Sequence, residues 1–254
     1  MREYLVFTLR APMQSWGTSS AVGEVRATAG RPGRSGVMGL VAAALGIRRD
    51  RPEALEQLHG AARIAVRADV FGERMVDYHT AQTPRSERNV IYNTRKDELV
   101  NKVRKEALST ILSRREYLAG AAFTVCVWLD GDAGHDLKDM REALVRPKLP
   151  LYLGRKSCPP GFPLMPETLE AANVAEAFAL YDEAVARKCG PGRDRPGGGV
   201  QVWADVGHAV PEALDRAVEY SVRDVLTNSA RRQFAVRREC HFALADKEAG
   251  HVHE

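Results

Sequence analysis

Hydrophobic and polar positions divide the chain into stretches of different period. Residues 3–10 alternate and are rich in β-formers, which predicts an opening strand. Residues 11–32 hold Pro, Gly, Ser and Thr throughout and read as a long loop. Residues 37–45 are apolar on nearly all sides, which predicts a buried helix capped by Ser35 and stopped by Gly46. A short helical piece at 54–60 and a second strand at 62–70 follow. From 74 to 112 the apolar positions thin out, and turn-like Thr83-Pro84 and Tyr92-Asn93-Thr94 interrupt a charged stretch. This predicts a protruding insertion, either a hairpin or a plain flexible loop. Order returns at 123–129, where every odd position is apolar, as in a buried strand. Leu137, Met140 and Leu144 carry helical spacing, and 151–153 reads as a short strand.

The order over 1–156 is thus β-α-β, insertion, β-α-β, an α+β, ferredoxin-like pattern shared with RNA-recognition folds. After Pro159-Pro160 comes a smaller C-terminal part. Asn173 with Glu176 makes a capping-box start for a helix to about 187, 190–199 is a glycine-rich loop and 200–206 a strand. The expected division is 1–158, with the insertion at about 74–115, and 159–254.

Composition narrows the class. The 254 residues are 44% hydrophobic and 28% charged, which excludes wholesale disorder. The longest apolar run, 37–47, is too short for a membrane span, and the first residues lack a signal-peptide layout. Four scattered cysteines form no CxxC pair, so reduced thiols and a cytoplasmic protein are expected. The net charge of +4 conceals its distribution. Segments 1–51, 74–115 and 146–158 carry +5, +5 and +4, and the remaining segments are acidic. Of the 37 cations 29 are arginine, whose fork fits phosphates and stacks on bases.

Candidate chemistry sits in those basic stretches. The glycines around Arg34 and Ser35 lack the spacing of a P-loop or dinucleotide fingerprint, so no nucleotide cofactor is expected. Arg34 and Ser35 at a helix start suit an anion, against simple capping as the plainer reading. Gln14, Ser15 and Trp16 offer amide, hydroxyl and ring to RNA, unless Trp16 folds into the core. Asp77-Tyr78-His79-Thr80 admits general acid–base chemistry on RNA, against a hydrogen-bonding or stacking role for His79. Arg85, Arg88, Arg95, Lys96, Lys102, Arg104, Lys105, Arg114 and Arg115, interspersed with Tyr78 and Tyr92, make the strongest nucleic-acid stretch, although five acids dilute it. Gly154, Arg155, Lys156 and Ser157 place two cations and a hydroxyl beside a residue that permits close backbone approach. His251 and His253 lie in a tail expected to fray, and no metal site is expected.

Five of these pieces occur in a specific order: Gln14-Ser15-Trp16-Gly17, residues 34–40 from Arg34 to Leu40, Asp77-Tyr78-His79-Thr80, residues 115–125, and residues 152–159 through Gly154-Arg155-Lys156-Ser157. Together they resemble the CasD-type subunits of type I-E CRISPR Cascade, members of the RAMP group. The resemblance spans about 1–160. It implies a ferredoxin-like domain with a β-hairpin thumb at 74–115, a smaller C-terminal part, and Arg34, Ser35 and 154–157 near the 5′ handle of the crRNA. It further implies contacts with a CasC-type backbone subunit and a CasA-type large subunit, with target DNA near the PAM-proximal end of the complex. Such subunits bind RNA while a separate subunit cuts it. A related subunit of another subtype is itself the processing nuclease, which leaves a metal-independent endoribonuclease as the alternative.

Overall fold

The computed structural model describes residues 1–18, 24–84, 90–101, 107–190, 200–207, 217–228, 231 and 233–244. Strand β1 (Arg2–Arg10) sends Leu5, Phe7 and Leu9 into one apolar cluster and Tyr4 and Val6 into another. A strand buried on both faces has no polar side to present, hence the unbroken apolar run. Two short strands follow, β2 (Met13–Gln14) and β3 (Val25–Arg26), then helices α1 (Arg34–Leu45) and α2 (Pro52–Ala61) and strand β4 (Ala62–Val70). Strands β5 (Glu73–Pro84) and β6 (Leu108–Ala119) form the insertion, with a π-helical turn at Asp97–Asn101 between them. The chain continues as β7 (Ala122–Leu129), α3 (Leu137–Val145), β8 (Glu167–Ala171), α4 (Val174–Cys189), β9 (Val200–Asp205), β10 (Val218–Asn228) and β11 (Gln233–Leu244).

Seven strands make one sheet in the order β10-β11-β9-β4-β7-β1-β8, with antiparallel neighbours throughout. Helices α1, α2 and α3 bury their apolar residues on one face. Helix α4 covers the other through Val174, Ala177, Phe178 and Tyr181. Asn173 caps it as expected, its Oδ1 accepting from the Glu176 N–H at 3.0 Å. Arg67 of β4 lies under α4 and meets Asp182 with both Nη atoms at 2.8 Å, and Asp69 with Nε at 2.7 Å. Burial alone would lower its basicity, but the two carboxylates hold it above the ordinary arginine range.

Two local expectations need correction. Residues 151–153 form no strand. Leu153 instead donates to the Cys158 carbonyl at 2.7 Å and accepts from the Ser15 N–H at 3.0 Å, a loop closed on itself and on its neighbour. The strand that pairs with β1 in its place is β8, a polar edge strand whose two glutamates hide its pattern. Ser35 does not cap α1. The helix begins at Arg34, Gly33 is the N-cap, two residues before Ser35, and the Arg34 N–H donates to Asp224 Oδ2 of β10 at 2.8 Å. A carboxylate of the protein thus occupies the position where a ligand anion was expected. The strands β9, β10 and β11 extend the same sheet past β4, so residues on both sides of position 158 share it.

Candidate nucleic-acid interface

β5 and β6 pair over twelve residues each, from Glu73 opposite Ala119 to Pro84 opposite Leu108, a ribbon about 40 Å long. The far edge of β6 pairs with β2 at residues 118–119 and with β3 at 114–115, which fixes its base. Directly opposed residues share a face. One face carries Val25, Val76, Tyr78, Thr80, Leu112 and Arg114, the other Arg26, Asp77, His79, Arg115 and Tyr117. Tyr78 is 56% exposed, and Val76 and Leu112 are also open to solvent. Arg114 is exposed and Arg115 half-buried, and neither side chain has a partner among the described residues. His79 bonds Asp77 through Nε2 and stays partly exposed. Consecutive strand residues point to opposite faces, so the Tyr78 hydroxyl and the His79 ring cannot converge on one phosphate.

The loop 153–158 clasps the base of the ribbon. Arg155 donates to the Glu116 carbonyl at 2.8 Å and the Arg26 carbonyl at 2.6 Å, and lies over the Tyr117 ring at 4.8 Å. It therefore positions the loop against β3 and β6. Lys156 and Ser157 beside it are exposed. Gly154 has φ +94°, and a Cβ there would fall 1.5 Å from the Ser15 carbonyl oxygen, so only glycine lets the loop approach. Ser157 lies 3.5 Å from the Tyr117 hydroxyl, and Arg115 shares the Tyr117 face of the ribbon.

Four other candidates face inward. Gln14 donates to the Leu9 and Ala121 carbonyls and accepts from Trp16 Nε1 at 3.1 Å. Trp16 is 1% exposed and packs against Gly36 of α1, which has no Cβ to obstruct it. Ser15 bonds the Glu116 carbonyl. These three tie the ribbon base to the core. Arg34, 3% exposed, contacts Asp205 at 3.3 Å and the His59 and Ala62 carbonyls, so its guanidinium is not offered to an external anion. Arg88 and Arg104 lie outside the described residues, as do 191–199, His251 and His253.

Arg34 belongs to a buried network that joins α1 to the strands after residue 200. Arg237 of β11 reaches Asp224 at 2.6 Å, Asp205 at 3.0 Å and Glu239 at 2.6 Å. Arg31 pairs with Glu239 and donates to the Tyr220 hydroxyl at 3.0 Å. Three arginines thus meet three carboxylates. Burial lowers the basicity of Arg34, which Asp205 only partly offsets. Burial also acts against Arg237, yet its three acids hold it above the usual range. Burial and the Glu239 contact push Tyr220 up to about 12. His59, walled in beside Arg34, falls to about 4, first through burial and then through that positive neighbour.

Between this network and residues 16–18 and 29–36 lies an open cleft of about 1210 Å³. Its walls include Gly17, Gly33, Ser35, Arg223 and Gln233, so Ser35 is the one member of the Arg34–Ser35 pair that faces open space. Sequence reasoning missed Arg223 because β10 was not expected. It missed Arg26 because a two-residue strand has no period to detect.

Comparison with known proteins adds the following. The family model for CRISPR-associated protein (Cas_Cas5) matches residues 4–240. The CRISPR system Cascade subunit CasD of Escherichia coli (strain K12) is 36% identical over 190 residues, 72% of this chain and 78% of that one. A chain of a solved CRISPR RNA-guided surveillance complex superposes with a TM-score of 0.64 at 25% identity, covering 95% of this chain and 90% of its own. A crystal structure of a Cas protein gives 0.60 at 28% identity and 95% of both chains.

Proposed function

The chain belongs to the CRISPR-associated Cas5 protein family, and from that premise we propose that it is the non-catalytic RNA-binding subunit of a type I-E Cascade surveillance complex. In this role it holds the 5′ handle of the crRNA and caps the backbone, in the cytoplasm, beside a CasC-type and a CasA-type subunit and near the target DNA. The likeness to E. coli CasD and to a chain of a surveillance complex supports membership of such an assembly. The β8-β1-β7-β4 portion of the sheet, with its β-α-β-β-α-β order, is read as a ferredoxin-like palm, and β5–β6 as the thumb. The functional division is 1–158 for RNA, with the thumb at about 74–115, and 159–254 as a smaller C-terminal subdomain.

One observation carries the reading: Arg114, Arg115 and Lys156, on the ribbon and its clasp, are cations without protein partners among the described residues. Phosphates are the groups such side chains neutralise. Ser157 adds a hydroxyl, Tyr78 a stacking surface and His79 a hydrogen-bonding ring, while Arg155, Gln14, Ser15, Trp16 and Arg34 act by positioning. Ser35 reaches RNA only through the cleft it lines. Arg88 and Arg104, outside the described residues, are assigned to the thumb on sequence alone. Photo-crosslinking of handle RNA to the assembled complex tests this. Crosslinked peptides from 74–84, 108–119 and 153–158 are expected, and crosslinks confined elsewhere would overturn the assignment. The endoribonuclease alternative has less support, since Tyr78 and His79 lie on opposite faces of the ribbon. Specific cleavage of repeat RNA in EDTA, lost in His79→Ala, would restore it.

A further inference from the structure

A second group of unpaired cations lies away from the ribbon. Helix α1 runs twelve residues, about 18 Å, from the turn that packs on Trp16 to Gly46. At its far end Gly46, Arg48, Asp50, Arg51, His135 and Lys148 line a pocket of about 550 Å³. Arg49 and Arg146 adjoin it in sequence. All five of these arginine and lysine side chains are exposed, and none has an ion pair or side-chain hydrogen bond among the described residues. Asp50, exposed, lines the pocket, and Asp139 sits 3.5 Å from His135.

The pocket is shaped rather than incidental. Gly46 has φ +79°, and the Lys148 side chain lies across it so closely that a Cβ would come within 2.8 Å of the Lys148 Cδ. The Lys148 N–H donates to the Ala44 carbonyl at 2.9 Å. The lysine stem is therefore seated on the helix end, and the residue lines the pocket. Among the cations of 1–51 and 146–158, Arg155 and Lys156 belong to the clasp of the ribbon, whereas Arg48, Arg51 and Lys148 line this pocket, with Arg49 and Arg146 next to them in sequence.

We propose that this pocket is a second phosphodiester-backbone site, engaged independently of sequence and separate from the ribbon. It rests on the RNA-binding reading only in that both use phosphate. A contact of cations with backbone alone steepens the salt dependence of affinity without reading bases.

The test compares the full chain with Arg48→Gln/Arg51→Gln/Lys148→Gln, and with a ribbon variant, Arg114→Gln/Arg115→Gln/Lys156→Gln. Labelled single-stranded RNA and random-sequence duplex DNA are titrated over a salt series, with circular dichroism reporting folding. The pocket variant should lose about tenfold or more in affinity for at least one probe at low salt, with the log–log salt slope reduced by about 2 to 3. The probe that responds identifies the strand type. The double set of substitutions should lower affinity further than either alone. Unchanged affinity and slope for both probes in a folded pocket variant would overturn the inference, and the RNA reading would stand if the ribbon variant still lost RNA. Loss of binding to poly-glutamate, with both nucleic acids unaffected, would also overturn it and assign the pocket to an acidic protein. Duplex binding lost in the pocket variant while the ribbon variant leaves RNA binding intact would uphold the pocket and remove the ribbon reading.

Discussion

Arg34 and Arg115 are the same residue type in equally basic stretches, yet the fold uses them in opposite ways. Arg34 and Arg237 sit inside the molecule against shared carboxylates of the late strands, Arg34 on Asp205 and Arg237 on Asp205 and Asp224. Arg114, Arg115 and Lys156 stand on the ribbon and its clasp with no acid partner among the described residues. What separates the two groups is the supply of carboxylates. A guanidinium that meets Asp205 and Asp224 in the interior is part of the fold, and one that meets none among its neighbours is available to a ligand. Counting basic residues does not distinguish these fates.

The largest effect that would sharpen this contrast lies in the buried network. Asp205→Ala leaves Arg34 and Arg237 short of a partner, and the Ile64 N–H, which donates to Asp205 at 2.8 Å, without an acceptor. Loss of about 3–5 kcal/mol is expected from removing one member of a buried ion group. Urea denaturation would show it as a collapsed midpoint, and a stability equal to the parent would mean that the network contributes little.

Next comes acid. The His59 imidazole has an ordinary value of 6.5 and falls to about 4 in the fold. As pH drops below about 6.5 the unfolded chain takes up the proton and the folded chain does not. The stability held by neutral His59 is complete above that pH and is lost progressively down to about 4, roughly 3 kcal/mol in all. The pH dependence of the unfolding midpoint should flatten over this window in His59→Gln. An identical acid limb in that variant would assign the loss to other groups.

A smaller effect is expected at the clasp. Gly154→Ala forces a methyl into the Ser15 carbonyl at a left-handed φ, which costs about 1–3 kcal/mol locally. Hydrogen exchange at 116–119 should speed up, while the α4 amides, on the other face of the sheet, stay as protected as before. Equal protection at 116–119 in the variant would show that the loop does not hold the ribbon.

Part of this organisation was legible in the chain and part was not, for physical reasons. β1, β7 and α4 announce themselves because burial on one or both faces, or an Asn173 cap with Glu176, writes a local pattern. β10 and β11 do not. Register shifts at Arg223/Val225 and Leu226/Asn228 break the alternation, and the inward positions hold Asp224 and Glu239, residues that ordinarily mark a surface. The ribbon was visible as an insertion, and its cations were visible by residue type. The inward turn of Arg34 was not readable, because its acid partners lie 171 and 190 residues away. Gln14, Ser15 and Trp16 were drawn into the site for a related reason. They lie at its base, but their polar atoms face the core.

The central claim is that the unpaired cations of the ribbon and clasp, and not the buried arginines, grip RNA. It is tested most directly by handle-RNA affinity over a salt series for the Arg114→Gln/Arg115→Gln/Lys156→Gln chain. Arg114 and Lys156 are exposed, and half-buried Arg115 has no partner among the described residues, so the unfolding free energy should stay within about 0.5 kcal/mol of the parent. The account predicts at least about tenfold weaker binding at low salt and a log–log slope reduced by about 2, the counterion release of three single-strand phosphate contacts. A folded variant with the affinity and slope of the parent would contradict it.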